Sequence, residues 1–173
     1  HQMKDPTTPR PFGFGHEATA VVTHVGGNVK HVKEGDHCIV TWVPRNPVKG
    51  RPDKTAPGAT YKGKFINCAW AFTWSQDCII DSEYVVKIPA NEPVDISCII
   101  GCAVLTGAGA VINTATVKIG DSVAVFGVGG VGLSAIKMAS LIGAHPVIAV
   151  DLLDEKLEFA KGFGATHTIN SSK

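Results

Sequence analysis

The chain has 173 residues, 45% of them hydrophobic, which is enough for one large domain or two small ones with cores of their own. Sixteen basic against fifteen acidic side chains leave a net charge of +1 and no arginine-rich tract, so nothing electrostatic points to nucleic acid or an acidic membrane. The longest weakly polar stretch, Cys98 to Ile112, is broken by three glycines and a threonine and falls short of a bilayer span, and five cysteines in no regular framework argue against a disulfide-stapled secreted domain. A reducing cytoplasm is the simpler home.

Residues 1 to 12 hold three prolines in TTPRPF and Asp5-Pro6 and read as an irregular lead-in. FGFGHEATAVVTHVG then turns into a strand around Ala18, Ala20 and Val22, closed by Gly26-Gly27-Asn28. Gly35-Asp36 makes another turn and His37 to Val43 another strand. Short strands at this spacing are the pattern of a small β barrel or sandwich. Pro44 to Lys64 carries prolines, glycines and charges without a hydrophobic period, and reads as a long loop or lobe. Cys78 to Pro89 reads as a strand pair. Asp95 is placed to cap a helix through Ile96, Ile99, Ile100, Ala103 and Leu105 that passes through or breaks at Gly107-Ala108-Gly109.

Ser122 to Asp151 contains a whole nucleotide-binding unit. Ser122 to Phe126 has the length of a strand buried on both faces. Gly127, Gly129 and Gly132 fit G-x-G-x-x-G, giving a tight turn, close backbone approach to a pyrophosphate, and close packing of the next helix on the sheet. Helical spacing runs through Val131, Ala135, Met138 and Ile142 to Gly143, and Pro146 to Val150 reads as the second parallel strand. Asp151 closes it where the fingerprint places an acid for the adenosine ribose. A second helix follows on Leu153, Leu157, Ala160 and Phe163, with Asp154 and Glu155 in its first turn and Gly162 and Gly164 at its end. Ala165 to Asn170 begins a third strand.

Two further positions could carry chemistry. His16-Glu17 follows Gly15 at the mouth of the first strand; alone, it would be an ordinary surface pair. Cys102, in IIGCAVLTGAG just ahead of the nucleotide unit, changes its weight, because a thiolate and a neutral imidazole form a zinc-type ligand set. Cys98 lies four residues earlier, on the same face of a continuous helix; it and Cys38, Cys68 and Cys78 read as small buried hydrophobes.

Gly15-His16-Glu17, the Gly35-Asp36 turn, Ile100-Gly101-Cys102, Thr106-Gly107 and GVGGVG followed by Asp151 together resemble the zinc-dependent alcohol dehydrogenases of the medium-chain dehydrogenase/reductase superfamily, over residues 13 to 173. The resemblance implies an α/β plus β fold: a GroES-like β-barrel catalytic portion over residues 1–103, then the first half of a Rossmann doubly wound parallel sheet over 104–173. It implies one catalytic Zn2+ with His16 and Cys102 as ligands and Glu17 beside them, able to enter the coordination sphere. It implies NAD, with Thr106 at the nicotinamide, Gly127, Val128, Gly129, Gly130, Val131 and Gly132 around the pyrophosphate, and Asp151 and Lys156 at the ribose. The expected activity is reversible hydride transfer between an alcohol and an aldehyde or ketone, in a homo-oligomer, dimer or tetramer.

Two departures qualify it. The family's first zinc ligand is a cysteine upstream of GHE, followed by a hydroxyl that relays the substrate proton, and residues 1 to 15 supply neither. The chain is therefore expected to be an internal piece of a longer protein, inactive alone. Pro44 to Lys64 contains no cysteine, so the structural zinc that many members bind is expected to be absent. Trp42, Phe65, Trp70, Phe72 and Trp74 would either line a pocket for a bulky or aryl alcohol or pack the barrel and lobe. The competing functions are a zinc-free quinone reductase of the same superfamily, against which the joint presence of His16 and Cys102 speaks, and a non-catalytic NAD-binding protein.

Overall fold

The structure, a computed structural model, describes residues 13–46, 60–66 and 71–173. The chain divides into two compact units, His1–Cys102 and Ala103–Lys173.

The first unit is built on antiparallel pairing. Strands β1 (Ala18–Val21), β2 (His37–Val40) and β5 (Val85–Lys87) form one sheet with β2 in the centre. Val40 stands opposite Ala18 on one side and Val85 on the other, and is buried with Cys38 and Ile39. A central strand has both ladders satisfied, so its β-branched run can be buried almost completely. The entry to β2 is pinned by Asp36. Its carboxylate accepts from Lys87 Nζ (2.7 Å) and from the Lys33 N–H (3.0 Å), which hold its pKa below the usual 3.8. A short hairpin, β3 (Thr60–Tyr61) with β4 (Lys64–Phe65), is the described end of the expected lobe; residues 47–59 lie outside the described residues, as do Cys68 and Trp70.

Three expectations need correction here. The strand at His37 ends at Val40 rather than Val43. Beyond it the Thr41 N–H donates to the Tyr84 carbonyl, but the Trp42 N–H turns to the carbonyl of Gly101. Cys78 to Pro89 is not a strand pair. Asp81 Oδ1 accepts from the Glu83 N–H (3.0 Å) and winds Ser82–Tyr84 into a 3₁₀ turn, so only Val85–Lys87 is left to pair. Asp95 does not cap its helix. Pro93 holds that position, and Asp95 lies in the first turn of α1 (Val94–Ser97), its carboxylate accepting from the Ile96 N–H.

The helical stretch does not break at Gly107-Ala108-Gly109. It runs through a π turn (Ile100–Val104), α2 (Leu105–Gly109) and a second π turn (Ala110–Thr114). A Cβ on Gly107 would stand 2.3 Å from the Val131 carbonyl, so a glycine here lets α2 lie against the next helix.

The second unit is a parallel sheet in the order β6 (Val123–Phe126), β7 (Val147–Asp151), β8 (His167–Asn170), crossed by α3 (Gly130–Ile142) and α4 (Asp154–Phe163). This is the opening of a Rossmann sheet. Its core joins Ile136 and Ala139 of α3 to Val147 and Ala149 of β7 and Leu157 and Ala160 of α4. Both helices end on a left-handed glycine, Gly143 and Gly164; Gly162 lies inside α4 and does not end it. The first strand is buried on one face only. Val123 and Val125 pack on the core, while Ala124 and Phe126, the latter 80% exposed, face away from it.

Ile136 is fully buried, so Ile136→Ala should lower the stability of this unit by about 2–5 kcal/mol in urea unfolding. Leu141→Ala on the same helix removes an exposed side chain and should shift it by no more than about 0.5 kcal/mol.

Candidate functional site

The bend that presents His16 is set by its neighbour. Gly15 has φ +93°, and a Cβ there would lie 2.5 Å from both Thr73 Oγ1 and Trp74 Cδ1. Only glycine meets both conditions without strain. The bend is tied to the 73–74 segment by hydrogen bonds from the Thr73 N–H to the Gly15 carbonyl (3.1 Å) and from the Trp74 N–H to that of Phe14 (3.0 Å). Thr73 Oγ1 also donates to the Glu17 carbonyl (3.1 Å).

From this bend His16 Nε2 reaches Cys102 Sγ at 3.3 Å, across 86 residues of sequence. The structure therefore brings together the two residues read as zinc ligands. Their spacing fits a shared metal: with Zn–N near 2.05 Å and Zn–S near 2.3 Å at a tetrahedral angle, nitrogen and sulfur stand about 3.5 Å apart. Among the described residues no group of three His, Cys, Asp or Glu side chains gathers to complete such a site. Cys98 does not join Cys102: its thiol donates to the Asp95 carbonyl (3.2 Å), and the π turn from Ile100 breaks the spacing that would stack the two cysteines.

The Trp42 ring lies against His16, with centroids 4.5 Å apart and planes at 56°. Of the aromatic residues picked out in sequence, Trp74 packs instead with Phe14 (6.0 Å), and Phe65 is an exposed residue of the short hairpin. In sequence Trp42 reads as a pocket or packing aromatic and Gly101 as part of Ile100-Gly101-Cys102; their contacts, with His16 and with Val40, are visible only in the structure.

In the second unit the glycine turn has the form a dinucleotide needs. Gly127 has φ +88°, and a Cβ on Gly127 or Gly129 would meet nothing within 4 Å, so the turn faces open space. A Cβ on Gly132 would stand 2.0 Å from the Gly127 carbonyl, which lets α3 start hard against the turn. Helix α3 starts at Gly130 with Gly129 as its cap and no side chain on its first N–H groups, leaving them available to a phosphate. Asp151 Oδ2 accepts from the Val128 N–H (2.7 Å), and Oδ1 accepts from the N–H groups of Leu152 (2.8 Å) and Leu153 (3.2 Å). These bonds, the Val128 bond foremost, hold its pKa below the usual 3.8, with the Lys156 charge adding to them. A carboxylate offers about four lone-pair sites, so one on Oδ2 remains for a ribose hydroxyl. Thr106 is an exposed residue of α2, and Lys156 an exposed residue of α4.

An antiparallel β unit carrying a zinc-type ligand pair, followed by the opening β-α-β of a dinucleotide fold, defines the class of two-domain nicotinamide-dependent dehydrogenases. Residues 1–90 match the alcohol dehydrogenase GroES-like domain, and residues 130–173 match the zinc-binding dehydrogenase domain. Alcohol dehydrogenase class-3 of Cereibacter sphaeroides is 36% identical over 194 residues, covering 98% of this chain and 51% of that protein. S-(hydroxymethyl)glutathione dehydrogenase of Saccharomyces cerevisiae is 36% identical over 191 residues, covering 96% and 49%. The crystal structure of benzyl alcohol dehydrogenase from Acinetobacter calcoaceticus is similar with TM-score 0.81 and 30% identity, covering 99% of this chain and 52% of that one. The chain belongs to the zinc-binding alcohol dehydrogenases of the medium-chain dehydrogenase/reductase superfamily. It spans about half the length of the curated relatives it matches.

Asp151 titrates lower folded than unfolded, so the unfolded chain takes up its proton first as pH falls. The stability it contributes is complete above the unfolded value near 3.8 and is lost as pH drops through the folded one. In acid unfolding, Asp151→Asn should therefore flatten the fall in stability below about pH 4. The remaining slope reflects Asp36 and Asp154, which are shifted the same way.

Proposed function

We propose that the protein containing this chain is an NAD-dependent alcohol dehydrogenase, converting an alcohol and NAD+ into an aldehyde or ketone, NADH and a proton, and the reverse. The observation that carries this is the 3.3 Å approach of His16 and Cys102, a long-range meeting of two soft donors. His16 and Cys102 would hold a single catalytic zinc with a third protein ligand from outside the described residues, and Glu17 would be the adjacent carboxylate. Zinc bound there supplies a Lewis acid for the substrate oxygen. NAD supplies the hydride chemistry.

The chain's own residues supply position. Gly127 to Gly132 and the first N–H groups of α3 would cradle the pyrophosphate, with Val128, Gly130 and Val131 along the coenzyme. Asp151 and Lys156 would hold the ribose. The Asp151 carboxylate, kept ionised by three backbone N–H groups, would accept from a ribose hydroxyl and repel a 2′-phosphate, favouring NAD over its phosphorylated form. Thr106 would contact the nicotinamide. Trp42, lying on His16, would form an apolar wall suited to a bulky or aryl alcohol, as the likeness to a benzyl alcohol dehydrogenase also suggests. The parent protein would be a cytoplasmic homo-oligomer without a cysteine-bound structural zinc. Among the described residues no helix is long and apolar enough to cross a membrane. The domain boundary would fall after Ala103, one residue beyond the end of the first compact unit, and the 173 residues alone would show no turnover.

Metal analysis of the parent protein should give one zinc per chain, and His16→Ala should remove both the zinc and alcohol oxidation. A protein without zinc, or a His16→Ala variant with intact oxidation, would refute the proposal. Asp151→Gly should weaken NAD binding by about 10–100-fold in a fluorescence titration, the loss expected for a hydrogen bond to a charged group, and narrow the preference over the phosphorylated coenzyme.

A further inference from the structure

The segment that carries Cys102 is fixed against the end of β2 by contact between backbones. Gly101 is buried, and a Cβ built on it would stand 1.9 Å from the Val40 carbonyl oxygen, 2.9 Å from the Val40 carbonyl carbon and 3.1 Å from Thr41 Cα. No flexible side chain is available to yield, so any larger residue has to move one backbone away from the other. In the same place the Trp42 N–H donates to the Gly101 carbonyl at 3.0 Å. The helical stretch is wound as a π turn from Ile100 to Val104, an irregularity that often marks functional positions, and Gly101 and Cys102 both lie in it.

The same strand end also governs His16. Val40 pairs with Ala18, two residues after His16, and the Trp42 ring lies on the imidazole. Val40 to Trp42 thus touches the backbone beside one zinc-type ligand and the ring of the other.

We infer that the end of β2, Val40 to Trp42, is the positioning element of the ligand pair: Gly101, docked on the Val40 carbonyl, sets where Cys102 Sγ lies, and the Trp42 ring sets the orientation of His16. Gly101 and Trp42 act through the ligands and are positioning residues. The inference rests on the zinc reading above.

Cobalt(II) binding to the full-length parent protein separates this role from a general loss of stability, because thiolate-to-cobalt charge transfer reports the sulfur directly. Gly101→Ala, shown to be folded by circular dichroism, should bind cobalt at least about 10-fold more weakly than wild type, within the 10–100-fold range typical of groups that orient metal ligands, and with a weakened thiolate band. Trp42→Leu leaves the backbone contact in place and should weaken cobalt binding while the thiolate band persists. A folded Gly101→Ala variant with wild-type affinity and band overturns the inference, whatever Trp42→Leu does. If Gly101→Ala does not fold, Trp42→Leu decides: weaker binding supports the positioning role, and unchanged binding overturns it. If wild type takes up cobalt and Cys102→Ser does not alter the spectrum, the zinc reading itself fails and the inference falls with it.

Discussion

Val40 is the point on which the first unit depends. Its backbone pairs with Ala18 and Val85 on its two sides, its side chain is almost wholly buried, and its carbonyl oxygen receives Gly101 at a distance that excludes any Cβ. His16 and Cys102 are 86 residues apart in sequence, and closing a loop of that length costs about 4 kcal/mol in its length-dependent part. A single thiol–imidazole hydrogen bond is too weak to offset that cost. The two ladders at Val40, the bond from Thr19 Oγ1 to the Val94 carbonyl and the Gly101 contact offset it instead, so His16 and Cys102 meet as a consequence of packing.

The second unit solves a different problem. A glycine turn of the form a dinucleotide needs has to leave its own N–H groups unfilled, and a carboxylate beside that turn has to stay ionised. The structure meets the first demand with glycines whose missing side chains leave open space, and with a helix start that no side chain caps. It meets the second by giving Asp151 three backbone donors, which hold its charge yet leave an acceptor site free.

Legibility from sequence follows the range of the forces. The nucleotide unit was readable nearly residue by residue, since strand, turn, helix and acid are set by neighbours: the glycine caps at Gly143 and Gly164 and the strand closing on Asp151 stand where the pattern put them. In the first unit a local competitor could defeat the pattern, as when the Asp81 side chain drew Ser82–Tyr84 into a turn and halved the expected strand pair. The π turns flanking Leu105–Gly109 were not legible, because an extra residue per turn is selected by what the helix packs against. His16 and Cys102 were legible as residue types, but nothing in the spacing predicted their 3.3 Å approach.

On the proposed zinc reading, the His16–Cys102 pair also bears on how metal and folding are coupled. In many small metal sites the donors are scattered until the ion arrives, and the binding energy is spent on folding. Here the bend at Gly15 is held by the 73–74 segment, the π turn at Cys102 is held by Val40, and each restraint is made of backbone contacts that need no ion. The pair is therefore preorganised at nearly the separation a tetrahedral ion would impose. Little of a metal's binding energy would then go to ordering these two donors. A metal site there would gain from rigidity in the strand behind it, and a buried valine and a glycine with no room for a side chain supply it.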